Sequence, residues 1–152
     1  MKVRRMTEAD IPACVDIMVS TSLWQRYDVS KEGATRRFQE GLARGAVIFV
    51  AEVEGEVAGF IWCEAQGAFA RSGYIPLVGV SPRHRGRGIG TALMDRAEAF
   101  LATVSQDVFL LVSDFNEAAQ RFYRRRGYVH VGSLPDYIVP GVTEYIYRKR
   151  LT

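Results

Sequence analysis

Only two cysteines, Cys14 and Cys63, and two histidines, His84 and His130, occur in the 152 residues. Two thiols cannot build a disulfide framework, and the reducing cytoplasm is the compartment they predict. No Cys or His stands at a metal-ligand spacing from another, so no metal site is expected. No apolar run approaches the length of a membrane span, and the start, Met1-Lys2-Val3-Arg4-Arg5-Met6, has no signal-peptide core. A membrane partner is therefore not expected. Charge of one sign is also scarce: 20 Lys and Arg stand against 17 Asp and Glu, a net charge of +3. Arginines do cluster, at Arg83, Arg85 and Arg87 and again at Arg121, Arg124, Arg125 and Arg126. Such clusters read as solvated faces or as anion sites, and no specific nucleic-acid partner is expected. Repeats, linkers and low-complexity stretches are missing too.

Hydrophobic residues make up 48% of the chain, which excludes disorder and suits a single mixed α/β domain over residues 1–152. The apolar pattern predicts strands at Val3–Met6, Val47–Val53, Val57–Glu64, Tyr74–Val80, Val108–Val112, Tyr128–Leu134 and Thr143–Arg148. It predicts helices from Thr7 or Asp10 to Ser20, from about Ser30 to Gly45, from Gly88 to Thr103, and from Asn116 to Arg126. Gln66 to Gly73 reads as a small-residue loop, and Thr21 to Val29 shows no clear period.

The stretch that organises the rest is Val78-Gly79-Val80-Ser81-Pro82-Arg83-His84-Arg85-Gly86-Arg87-Gly88-Ile89-Gly90-Thr91. Pro82 closes a strand, because it cannot donate to a sheet ladder. Three glycines and three arginines then lead straight into a helix whose Ile89, Leu93, Ala97, Leu101 and Val104 share one face. Unpaired N–H groups at a helix N-terminus, with glycines that let the backbone approach closely, make an anion site that suits a diphosphate. A P-loop would need a lysine after its last glycine, but Thr91-Ala92 follows Gly90. The dinucleotide fingerprint, counted from Gly88, also fails, since Leu93 stands where its third glycine would fall.

What fits is Arg-x-x-Gly-x-Gly, from Arg85 through Gly88 to Gly90, behind the strand end Val80-Ser81-Pro82. This resembles the acyl-CoA loop of the GNAT (N-acetyltransferase) family. A second block, Asn116-Glu117-Ala118-Ala119-Gln120-Arg121-Phe122-Tyr123-Arg124-Arg125-Arg126-Gly127-Tyr128, resembles that family's other signature. Taken alone, this block is also an N-cap, a core stripe of Ala119, Phe122 and Tyr123, and a C-cap glycine. The resemblance implies a mostly antiparallel sheet with splayed central strands, flanked by helices. It implies an acetyl-CoA-dependent N-acetyltransferase acting on a primary amine of a small molecule, amino acid or peptide, with a homodimer left open. Backbone groups of Val78, Gly79 and Val80 would face pantetheine. The loop and helix start, Arg85, Gly86, Arg87, Gly88, Ile89, Gly90 and Thr91, would hold the pyrophosphate. Asn116 would lie at the cleft mouth, and Tyr123 would protonate the departing thiolate. A catalytically silent acyl-CoA-binding module is the alternative.

One departure from the family stands out. Many members carry a glutamate on the strand before the phosphate loop or just before the Asn of the second signature. Here those stretches read Tyr74-Ile75-Pro76-Leu77 and Leu110-Leu111-Val112-Ser113, without a carboxylate. Glu64, Asp114 and Glu144 remain as base candidates or as ordinary charges. Trp24, Tyr27 and Tyr137 lie in segments that wall the acceptor site in the family, and Trp24 reads equally well as core.

Overall fold

A computed structural model describes residues 1–151. All seven expected strands are present: β1 (Lys2–Arg5), β2 (Val47–Val53), β3 (Glu56–Ala68), β4 (Ser72–Val80), β5 (Asp107–Ser113), β6 (Val129–Pro135) and β7 (Thr143–Arg150). They hydrogen-bond in the order β1-β2-β3-β4-β5-β7-β6. Pairing is antiparallel between β1 and β2, β2 and β3, β5 and β7, and β6 and β7, whereas β4 and β5 run parallel. Contacts divide the chain into two compact units, residues 1–64 with 77–100, and 65–76 with those from 101 onward.

In the first unit, Arg4 of β1 donates through both terminal nitrogens to the two oxygens of Asp10, at 2.8 and 2.9 Å. The Arg4 hydrogen bonds hold the Asp10 carboxyl below its usual range, with help from the Thr7 N–H and against the effect of burial. Asp10 closes a 3-10 turn that leads into α1 (Ile11–Ser20), where Pro12 occupies the first turn and no helical bond is lost. The aperiodic stretch after it is a short helix, α2 (Ser22–Arg26). The following helix, α3 (Lys31–Ala43), is capped by Ser30 Oγ, which accepts from Gly33 N at 3.0 Å. Ala34 and Phe38 point into a core with Phe60 and Trp62, and Gly45 ends the segment in the left-handed region at φ +81°. Cys14 and Cys63 are both buried as free thiols, and burial pushes each up to about 12.

Helix α4 (Ile89–Ala102) buries Ile89, Leu93 and Ala97 as its period requires. Ile89 and Leu93 lie so close to Gly59 that a Cβ there would come within 3.0 Å of each side chain. Val104, expected on the same face, is 47% exposed, because the helix ends at Ala102 and the chain turns away.

The second unit holds the antiparallel β5–β7–β6 set. Its helix α5 (Glu117–Arg125) is capped by Asn116 and followed by Gly127 at φ +94°. The expected loop from Gln66 to Gly73 is instead a tight hairpin, since β3 runs on to Ala68 and β4 starts at Ser72. Phe69 and Ala70 form its turn with φ of +57° each, closed by Arg71 N donating to Ala68 O at 3.2 Å. Two-residue turns of this hand favour Asn and Gly. Left-handed backbone costs other residues roughly 1–2 kcal/mol apiece. Within this unit the parallel β4–β5 ladder comprises Gly73↔Val108 and Tyr74↔Phe109. Pro76, two residues further along β4, brings no N–H that could prolong it.

Candidate active site

The glycine-rich loop is built in three steps. Ser81 N donates to Ala58 O at 2.8 Å and fixes the end of β4. Pro82–His84 then form a 3-10 turn, with Ser81 Oγ accepting from Arg83 N at 3.4 Å. Gly86 and Gly88 follow at φ +76° and +75°, where a side chain would be strained. A Cβ built on either glycine meets nothing within 4 Å, so the space beside both glycines is open. The first helical bond of α4 runs from Ala92 N to Gly88 O. The N–H groups of Ile89, Gly90 and Thr91 therefore have no acceptor inside the helix and point out of its N-terminus. Arg85 and Arg87 are exposed.

Two side chains of this loop lie near the start of β3. Arg83 Nη2 and His84 Nε2 each lie 3.9 Å from a carboxylate oxygen of Glu56. His84 is buried, and its Nδ1 has no hydrogen-bond partner. His84 ends the 3-10 turn with its ring turned into the protein.

On β4, Val78 and Val80 are half-buried, while Gly79 between them is buried. Trp24 belongs to the core here. It is 8% exposed and stacks on Phe60 at 5.9 Å between centroids. Tyr27 is half-buried and Tyr137 is 60% exposed.

In the second unit, Tyr123 is buried on α5 between Phe122 and Tyr128, edge-on to each at 5.2 and 5.6 Å. Burial raises its phenol pKa, with Arg126 opposing weakly, and its hydroxyl makes no hydrogen bond among the described residues. Asn116 Oδ1 accepts from Ala119 N at 3.2 Å, an N-cap that leaves its amide nitrogen outside the cap. Of the core stripe read from the sequence, Tyr123 is buried, whereas Ala119 and Phe122 are only half-buried. Sequence reasoning missed Gln120, a buried side chain whose Nε2 donates to the carbonyls of Ser113 and Asp114 at 3.1 and 3.0 Å. It ties α5 to the end of β5, one helical turn beyond the cap, and that spacing was its only signal.

The three base candidates differ in their surroundings. Asp114 Oδ2 accepts from Thr143 N at 3.2 Å and so serves the β5–β7 junction. Glu144 is 3% exposed and accepts from Ser113 Oγ at 3.2 and 3.3 Å. Glu64 is half-buried on β3. Among the described residues no three His, Cys, Asp or Glu side chains stand together as a metal site.

This architecture is shared with solved acyl-transfer proteins. An aminoglycoside 6'-N-acetyltransferase complexed with coenzyme A superposes with a TM-score of 0.83, covering 100% of this chain and 98% of that one at 17% identity, a likeness of fold. The family model for the acetyltransferase (GNAT) family matches residues 14–128, and the chain belongs to that family. A mycothiol acetyltransferase of Thermobispora bispora is 38% identical over 102 residues, which cover 64% of this chain and 35% of that protein. An N-alpha-acetyltransferase of Sulfurisphaera tokodaii is 30% identical over 112 residues, 66% of this chain and 67% of that protein. The chain thus spans about a third of the first relative and two thirds of the second. Among the described residues no helix is long and apolar enough to cross a membrane.

Proposed function

We propose that residues 1–152 form one acetyltransferase domain that moves an acetyl group from acetyl-CoA to a primary amine, and that its preferred acceptor is an amine of low pKa such as an α-amino group. The observation that carries the reading is the open turn at Gly86 and Gly88 before the free N–H groups of Ile89, Gly90 and Thr91. Those N–H groups would suit a pyrophosphate in charge, with Arg85 and Arg87 adding positive charge. The backbone of Val78, Gly79 and Val80 would hold the pantetheine amides as an added strand does. Asn116 would contribute its free amide N–H groups.

Acetyl-CoA supplies, when bound, a thioester carbonyl activated toward an amine. The chain would contribute proximity and a proton. Tyr123, kept protonated by its burial, would donate to the sulfur as it leaves. The acceptor preference follows from the base. Asp114 and Glu144 already serve β5–β7 contacts, and the strands that carry a glutamate in many relatives carry none here. An alkylamine of pKa near 10.4 costs roughly 4.6 kcal/mol to deprotonate at pH 7, against about 1–1.4 kcal/mol for an α-amine. Without a strong base, the α-amine is favoured. The name of the Sulfurisphaera relative agrees with that preference. The reaction would take place in the cytoplasm, where Cys14 and Cys63 stay reduced.

Release of CoA thiol from acetyl-CoA in the presence of matched α-amine and ε-amine acceptors tests this reading. Thiol release that depends on the amine supports transfer. Tight CoA binding with no release for any amine would make the chain a silent binding module.

A further inference from the structure

The second unit carries an open cavity of about 910 Å³ that none of the proposed acetyl-transfer residues lines. Part of its lining is aromatic. Phe69, at the tip of the β3–β4 turn, meets Phe109 edge-on at 5.3 Å, and Val131 stands at its side. Its walls are cationic, formed by Arg71, Arg148 and Arg150 with Asp107 as the opposing charge. Arg148 Nε donates to Asp107 Oδ2 at 2.7 Å and so is largely neutralised. Arg71 and Arg150 are exposed, and although Arg150 also acts on the Asp107 carboxylate, three arginines against one aspartate leave the cavity positive.

The turn at the edge of this surface is costly for its sequence. A left-handed two-residue turn is best made by Asn-Gly, yet it holds Phe69-Ala70, with the phenylalanine 75% exposed. A bulky aromatic at positive φ, displayed to solvent, works against stability and is the kind of strain found at binding sites. Exposed Val131 and Val104 extend the apolar area around it.

We propose that this cavity docks an acidic peptide segment of a partner protein, with an apolar or aromatic side chain set against Phe69 and Phe109 and carboxylates set against Arg71 and Arg150. Aromatic and arginine side chains are the anchors that dominate such interfaces. A nucleic acid fits less well, because Asp107 stands among the arginines and the lining includes Phe69, Phe109 and Val131. The proposal does not rest on the acetyl-transfer reading.

Fluorescence anisotropy with the whole protein and a labelled synthetic peptide, a Leu-Phe pair flanked by glutamates, tests it. A control peptide carries lysines in place of the glutamates. The acidic peptide binds, the lysine peptide does not, and salt weakens the complex as it screens the charges. Arg71→Glu and Arg150→Glu each weaken binding by about tenfold or more. Phe69→Asn suits the turn better, so the melting temperature rises while peptide affinity falls by about tenfold and amine-dependent thiol release is unchanged. Equal binding of the two peptides, or full affinity in Phe69→Asn, overturns the proposal. So does tighter binding of a single-stranded oligonucleotide. A sedimentation result in which wild type is a dimer and Phe69→Asn a monomer would also overturn it, giving the cavity to a second copy of the chain.

Discussion

Trp24 lies across Gly79: a Cβ built on that glycine would come within 2.8 Å of the indole Cη2 and of Phe60 Cε1. The indole from α2 thus packs directly on the backbone of β4, which the cofactor reading assigns to pantetheine. Gly79→Ala should force Trp24 or Phe60 off its place, at about 1–3 kcal/mol. Trp24→Ala should cost about 3–5 kcal/mol by opening a cavity. Chemical denaturation of both variants checks this. A stable Gly79→Ala protein would mean that the indole moves freely, and that Trp24 serves the acceptor side rather than the core.

Gly88 is the second test position. Aspartate there would be strained at φ +75° and would bring a carboxylate to the cradle. Wild type at 100 times the dissociation constant of acetyl-CoA gains about 2.7 kcal/mol. Thermal shift assays should show that gain vanish in Gly88→Asp. NADH and ATP should produce much smaller shifts, and a larger shift with either would remove the basis of the cofactor assignment.

Tyr123→Phe keeps the ring between Phe122 and Tyr128 and removes only the hydroxyl. Turnover should fall by roughly 10²–10⁴-fold, the usual contribution of a general acid, with little change in melting temperature. Because burial raises the phenol pKa, the acid stays protonated as pH rises, and its ionisation should produce no falling limb through the neutral and mildly alkaline range. Unchanged turnover in the variant, with chemistry limiting, would return Tyr123 to the core.

Acceptor choice is measured by kcat/KM for a dipeptide α-amine and a matched ε-amine between about pH 6.5 and 9.5, where only the α-amine titrates to completion. The α-amine should be preferred, most strongly at low pH. A preferred ε-amine, with a pH limb removed by Glu64→Gln, would show that Glu64 is a true base.

Arg4 and Asp10 set an acid limit on stability. The folded pKa of Asp10 is lowered, so its contribution is complete above the unfolded value of about 3.9 and is lost as pH falls through the folded one. Arg4→Gln should destabilise the protein at neutral pH, and the gap to wild type should close as the pH is lowered through that window. A gap independent of pH would show that Arg4 acts through packing alone.

Much of this molecule was legible because its signals are local. Pro82, Gly86, Gly88 and Asn116 each impose their conformation on a few neighbours, and the glycine-rich loop and the cap of α5 stand where those residues put them. Helix α2 was not legible, because Thr21 to Val29 has no period and its five-residue helix is held by Trp24 packing on Phe60. The Phe69-Ala70 turn was invisible for the opposite reason: its residues contradict the chemistry of the turn they make. Val104 was misassigned because helical periodicity gives a face and not an end. Gln120 and Glu144 are buried polar groups whose partners lie at the end of β5, at Ser113 and Asp114, and spacing along the chain does not reveal those partners.

Cys14 and Cys63 have one practical consequence. Both thiols are buried and protonated, and a thiol in that form reacts poorly with disulfide and maleimide reagents. The native protein should therefore be silent toward such reagents, so that continuous colorimetric detection of free CoA can follow the proposed transfer with no protein background. A two-thiol burst on adding denaturant would then count unfolded molecules in the same cuvette.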